Sequence, residues 1–245
     1  MGPALLALAA VVGVLIGLVG VGGVLLPPGL VAVAGLDPHV ATATSTWAFL
    51  FTGVIGTVAY ASRGIVPWAM LGRIAVGVVP AAFLGAGANS VLPATLVLLA
   101  LATLTLFVGV HQLWPRAERR TDRELGTVAL VAIGAAVGFG SALTGTGGPV
   151  LLVPLLLALG VAPVRAVAVS QAVQLPVVAS GSVGYLQAGL TDVGLGTALG
   201  LVAAAGTLAG AFLAGRLHAE RLRVVVAVAC LVAGALLVLR VLTSA

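Results

Sequence analysis

A four-residue pattern, Gly-x-Gly-Gly, occurs at Gly20–Gly23 and returns 125 residues later at Gly145–Gly148. The same offset, without a gap, sets Gly35 on Gly160, Pro38 on Pro163, Ser45 on Ser170, Gly56 on Gly181, Gly64 on Gly189 and Gly85 on Gly210. The chain has two tyrosines, Tyr60 and Tyr185, and the offset superposes them. Matches among abundant apolar residues would mean little, but these fall on residues that punctuate structure. Self-similarity at a fixed spacing requires two copies of one unit. Residues 1–114 form the first repeat, 115–124 a polar linker and 125–245 the second repeat.

Within each repeat the pattern is long apolar runs. Three of ordinary length lie near Val40–Ala61, Pro67–Ala88 and Pro93–Leu113, and again near Arg165–Leu186, Val193–Gly215 and Leu222–Leu242. Each is close to the roughly 20 residues that carry a helix across a bilayer. The chain is 61% hydrophobic and only 7% charged. A soluble domain carries about 25% charged residues, so there is too little charge here for a solvated surface. These observations give an all-α integral membrane protein and exclude a soluble enzyme, a disulfide scaffold and a nucleic-acid binder. The net charge of +5 comes from 11 basic residues, all arginine, against 6 acids. In a membrane protein such charges set orientation. No basic segment precedes the first apolar run, which is therefore read as part of the mature protein.

Each repeat opens with an apolar stretch too long for one span, Pro3–Leu36 and Leu125–Val161. Both are interrupted at Gly-x-Gly-Gly and then at Pro27-Pro28 or Pro149. Proline inside a helix removes a backbone bond and breaks or kinks it. Each opening stretch is thus expected to be a broken-helix hairpin, followed by three transmembrane helices. If each stretch returns to its starting side, the repeats are inverted and every arginine except Arg240 falls on one side. If each crosses once, the arginines split poorly. The positive-inside rule selects inverted repeats, with the linker cytoplasmic and both termini extracytoplasmic in a multi-pass protein of the cell membrane.

Broken membrane helices leave backbone groups unpaired, which is tolerated where they are buried in protein or line a watery cavity. Helix N-termini offer N–H donors and a positive dipole end to an anion. Gly22, Gly23, Gly147 and Gly148 have no side chain to obstruct that approach, and they form the core of the expected binding site. The alternative is close helix packing through small residues. Polar side chains inside spans are costly unless paired and so face the bundle interior. Ser45 and Thr46 on one helix, with Ser170, Gln171 and Gln174 on its counterpart, are candidate contacts for cargo, the alternative being interhelical hydrogen bonding. Tyr60 and Tyr185 lie at span ends, where aromatic belts form. Asp37 and His39 flank Pro38 and are weaker candidates for gating or proton handling, against a simple turn. No carboxylate lies in mid-span, and the histidines do not cluster. No metal site, cofactor or catalytic set is expected.

Gly20–Pro28 followed by Leu36-Asp37-Pro38, and Gly145–Pro154 followed by Val161-Ala162-Pro163, resemble the TauE/SafE sulfite exporter family over nearly the whole chain. The resemblance implies an exporter or facilitator of small sulfur-containing anions such as sulfite or organosulfonates. The remaining alternatives are a same-fold transporter or channel for a carboxylate or cation, and a non-transport membrane assembly subunit. The expected partners are a small anionic substrate and the lipid bilayer, not nucleic acid, with a homo-oligomer left open.

Overall fold

The computed structural model describes residues 2–20, 22–113, 124–213 and 219–244. Linker arginines Arg116, Arg119, Arg120 and Arg123, together with Arg216, lie outside the described residues. All regular structure among the described residues is helical. The first repeat contains α1 (Pro3–Val19), a 3-10 turn (Gly22–Leu25), α2 (Leu26–Val33), α3 (Pro38–Ala61), α4 (Trp68–Val91) and α5 (Ala94–Leu113). The second contains α6 (Thr127–Thr144), α7 (Pro149–Ala158), α8 (Pro163–Gln187), α9 (Val193–Leu213) and α10 (Ala219–Ser244). Seven of these are long and apolar enough to cross a membrane: α3, α4, α5, α6, α8, α9 and α10.

Local chemistry sets the boundaries. Both opening helices stop at a glycine in the left-handed region, α1 at Gly20 (φ 77°) and α6 at Gly145 (φ 65°). Only glycine takes that conformation without a Cβ penalty. Proline stands in the first turn of α2, α3, α7 and α8, where its missing N–H has no intrahelical partner to lose. Asp37 caps α3 by accepting a 2.9 Å hydrogen bond from the His39 N–H.

Side-chain neighbours fix the direction of each helix. α1 and α9 run the same way, since Gly13 abuts Ala203 and Gly17 abuts Thr207. α4 and α6 also run together, with Gly134 on Ile74 and Gly138 on Val78. α3 runs with α9: Gly196 packs on Thr44 and Gly200 on Ala48. α4 runs with α8, through Ser180 on Val79 and Gly184 on Phe83. α3 and α8 oppose one another, because Thr46 meets Gly181 while Gln171 meets Gly56. It follows that α1 and α6 run in opposite directions, as do α3 and α8, and α4 and α9. α1 and α3 share a direction, so the chain turns back between them through the 3-10 turn and α2.

Two pairs of these close approaches obey the 125-residue offset as well. A Cβ at Gly138 would lie 2.7 Å from the Val78 carbonyl oxygen, and Gly13 meets Ala203 in the same manner. Gly85 abuts the Phe139 carbonyl and Gly210 that of Val14. In each case both partners move by 125. Backbones this close need glycine.

α3 and α8 occupy the centre: 61% and 67% of their span residues are buried, against 28% in α10. That position corrects the aromatic-belt reading of Tyr185. Its ring is fully buried and its hydroxyl donates to the Ala142 carbonyl oxygen, because it lies on the inward face of α8 while Val183 and Leu186 beside it are exposed. Tyr60 is half-buried.

Candidate functional site

The two broken-helix tips meet on one residue. A Cβ at Gly23 would lie 3.2 Å from the Thr146 carbonyl oxygen and 3.3 Å from the Phe49 ring, and one at Gly147 would lie 3.2 Å from the same ring. Phe49 is fully buried at the middle of α3. Opposite it on α8, Gln174 donates through Nε2 to the Phe49 carbonyl oxygen (3.2 Å) and to Thr52 Oγ1 (2.9 Å). Gly148 sits over this crossing, its Cβ position 3.9 Å from Gln174 Cα and 3.3 Å from Val177. Gly22 instead packs back on α1, against Leu15 and Ile16.

Gly147 and Gly148 are held at φ 82° and 101°, and Gly148 is the residue before the first turn of α7. The turn bonds of this tip use the N–H groups of Gly145 (to Ala142) and Thr146 (to Ser141), and those of Gly147 and Gly148 take part in none of them. The Thr144 and Thr146 hydroxyls lie 3.1 Å apart beside them.

The candidate polar side chains separate into two behaviours. Thr46 and Ser170 return their hydroxyls to their own helices, Thr46 to Thr42 (2.9 Å) and Ser170 to Ala166 (2.6 Å). Such back-bonding satisfies a hydroxyl in an apolar span. Ser45 Oγ, Gln171 Oε1 and Gln174 Oε1 are buried and find no protein partner, and neither does Ser141 Oγ on α6. Gln171 reaches both halves of the first repeat: its Nε2 faces Gly20, its Oε1 faces Gly56, and its backbone carbonyl oxygen accepts from Thr57 (3.5 Å). Buried polar atoms without partners are rare, and each points to water, an ion or a ligand role. The arrangement presents backbone N–H groups and hydroxyls as donors and amide and peptide carbonyls as acceptors, with no formal charge.

Asp37 and His39 lie apart from this centre, ten to twelve residues earlier on α3, about 15–18 Å along its axis. His39 Nδ1 is 3.1 Å from Asn89 Oδ1, and Asn89 Nδ2 donates to the Leu143 carbonyl oxygen (2.7 Å). These contacts tie the start of α3 to the ends of α4 and α6. Arg240, the one arginine expected on the outer side, donates to the Val31 carbonyl oxygen (2.7 Å) in the last turn of α2. Four residues at the centre escape a reading of the sequence: Phe49, Thr52, Ser141 and Thr146. The offset was the usable signal for Phe49 and Thr146, since they stand opposite Gln174 and Val21 in the two repeats.

Behind α7 an apolar hollow of about 400 Å³ opens among Phe107, His111, Leu151, Pro154 and Leu155, away from the tips.

The family model for the sulfite exporter TauE/SafE matches residues 5–237. No curated protein and no solved structure gave a match. With its all-helical bundle of membrane-length spans and a family match over nearly its whole length, the chain belongs to the TauE/SafE sulfite exporter family of membrane transporters and is not an enzyme.

Proposed function

We propose that this transporter moves small sulfur-containing anions, such as sulfite or organosulfonates, out of the cell as an exporter or facilitator. Residues 1–114 and 125–245 act as inverted repeats joined by a cytoplasmic linker, and the cargo binds between their tips near the midplane. Gly22, Gly23, Gly147 and Gly148 supply the backbone, with Ser45, Thr46, Ser170, Gln171 and Gln174 around it. The observation that carries this reading is the pair of buried hydroxyls without protein partners, Ser45 Oγ and Ser141 Oγ, on the helices that frame the tips. The opposite courses of α1 and α6 support the inversion. An anion there is held by N–H dipoles and hydroxyls rather than by arginine, which neutralises its charge only in part and suits quick release.

Purified protein in liposomes, preloaded with labelled sulfite, tests the reading. Sulfite and a simple sulfonate should drive counterflow, and acetate and sodium should not. The unpaired carbonyl oxygens of Gln171 and Gln174 favour a second reading, a small cation, since acceptors alone suit a positive charge. Counterflow of sodium with none of sulfite selects it. For the topology, Gly35→Cys should label from outside the cell and Ser62→Cys only from the cytoplasm. The reverse pattern overturns the orientation. The native Cys230 is buried and should stay silent.

A further inference from the structure

Backbone donors stand unused at the second tip. The bonds of α7 begin at Leu151 and Leu152, which both donate to the Gly148 carbonyl oxygen (3.1 Å each). Ahead of them the N–H groups of Gly147, Gly148 and Val150 enter no backbone bond of the turn among the described residues, and Pro149 has no N–H to give. All four residues are buried. A buried N–H needs a partner, and the start of a helix favours negative charge. Ser45 points to the same place independently. It stands about one turn from Thr42, which Gly145 touches, and about one turn from Phe49, which Gly147 touches. Its hydroxyl therefore lies on the side of α3 that this tip covers, fully buried and without a hydrogen-bond partner. The first tip is built differently. Gly22 packs back on Leu15 and Ile16, and Pro27 and Pro28 remove two N–H groups from the first turn of α2. Ser170, which the offset sets on Ser45, returns its hydroxyl to the Ala166 carbonyl oxygen (2.6 Å).

We propose that the second tip alone holds the oxyanion, through the N–H groups of Gly147, Gly148 and Val150 and the hydroxyl of Ser45, and that the first tip is only a wall of the site. Resting on the reading that the tips bind the transported anion, this site narrows the contacts to four donors, and Val150 joins them through its backbone. One anion binds per chain, where two equivalent tips would hold two. Ser45 and Ser170 occupy matching positions of the repeat, yet only Ser45 has a hydroxyl proton to offer the solute.

The test uses the full chain purified in detergent and titrated calorimetrically with sulfite and with methanesulfonate, with the melting temperature of the ligand-free protein read in parallel. The parent should bind one anion per chain. Ser45→Ala should weaken binding at least about tenfold, the worth of a hydrogen bond to a charged group, and Ser170→Ala by less than about threefold. The ligand-free melting temperature of Ser45→Ala should hold or rise, because that hydroxyl has no partner to lose. Weaker binding in a protein no less stable is an outcome that a merely structural serine cannot give. Val150→Pro removes one donor at a helix start, where proline is tolerated, and should weaken binding as well. Should that variant not fold, the serine pair still decides. Equal losses in the two serine variants, a larger loss in Ser170→Ala, or two anions per chain overturn the one-tip site while leaving sulfite as the cargo. So does folded Val150→Pro with the affinity of the parent. A parent that binds neither anion overturns the sulfur-anion reading and this site with it.

Discussion

At the crossing of α3 and α8, one backbone position of the repeat carries an aromatic ring in the first half and an amide in the second. Phe49 fills the space between the two tips, and Gln174 ties α8 to α3 through the Phe49 carbonyl oxygen and Thr52. Its neighbours differ in the same sense. Thr46 closes on its own helix, while Gln171 spans from Gly20 to Gly56. Two of the glycine contacts that set helix spacing, by contrast, match between halves down to the carbonyl each one meets, Gly13 with Gly138 and Gly85 with Gly210. The scaffold has kept the repeat and the lining has not. If the proposed site holds cargo, selectivity resides in the few positions where the halves disagree, and more of the polar groups there come from the second half.

The largest effect should come from the second tip. Gly148→Leu places a side chain at φ 101° within reach of Val177 and should abolish sulfite flux in liposomes. Gly35→Ala, also at a positive φ but with open space around it, should leave flux within about twofold, since backbone strain alone costs about 1–2 kcal/mol. Equal loss in both would mean that Gly148 matters for folding rather than for cargo.

Next come the spacer glycines. Gly85→Leu and Gly210→Leu should each lower the melting temperature, by an amount corresponding to at least about 1–3 kcal/mol of overpacking, and the two losses should agree. Unequal losses would show that the scaffold is less alike in its two halves than the matched contacts require.

A smaller effect separates the central pair. Gln174→Leu removes the amide that donates to Thr52 Oγ1 and to the Phe49 carbonyl oxygen and should weaken sulfite binding by about 1–3 kcal/mol. Phe49→Leu exchanges one apolar side chain for another and should change it by less than about 1.5 kcal/mol. The reverse ranking, in a direct binding titration, would move selectivity to the first half. Arg165→Gln should change least. Flux should fall and lose part of its salt dependence with the binding constant unchanged, because a rim charge steers solute rather than holding it.

Much of the fold was legible because its signals are one-dimensional. Span lengths gave the six long helices after the opening stretches nearly to their ends, and the paired Gly-x-Gly-Gly breaks showed that each opening stretch is two helices. The two Gly-x-Gly-Gly breaks were the residues in the sequence that pointed to the tips, and Gly23 and Thr146 do meet. What stayed hidden depends on rotation about a helix axis. Nothing in the sequence tells that Tyr185 turns inward to bond Ala142, or that Gln174 spends its donors on α3. The apolar runs carry no face, since spans buried against protein and spans facing lipid use the same residues. Apart from its offset to Gln174, Phe49 gives no signal for that reason: an aromatic residue in a span reads as packing until its neighbours are known.

Counterpart helices that run in opposite directions have an electrical consequence. Each helix carries an axial dipole, and in this bundle the dipole of α1 opposes that of α6, as α3 opposes α8 and α4 opposes α9. Within these three pairs the axial dipoles oppose and largely cancel. A transmembrane voltage therefore does little work on the protein itself when its helices tilt or rock. The charge that voltage acts on is the solute's, at about 2.3 kcal/mol per charge per 100 mV. On the proposed path between the tips, flux measured against voltage becomes an electrometer for the cargo, its slope reporting the charge that is carried.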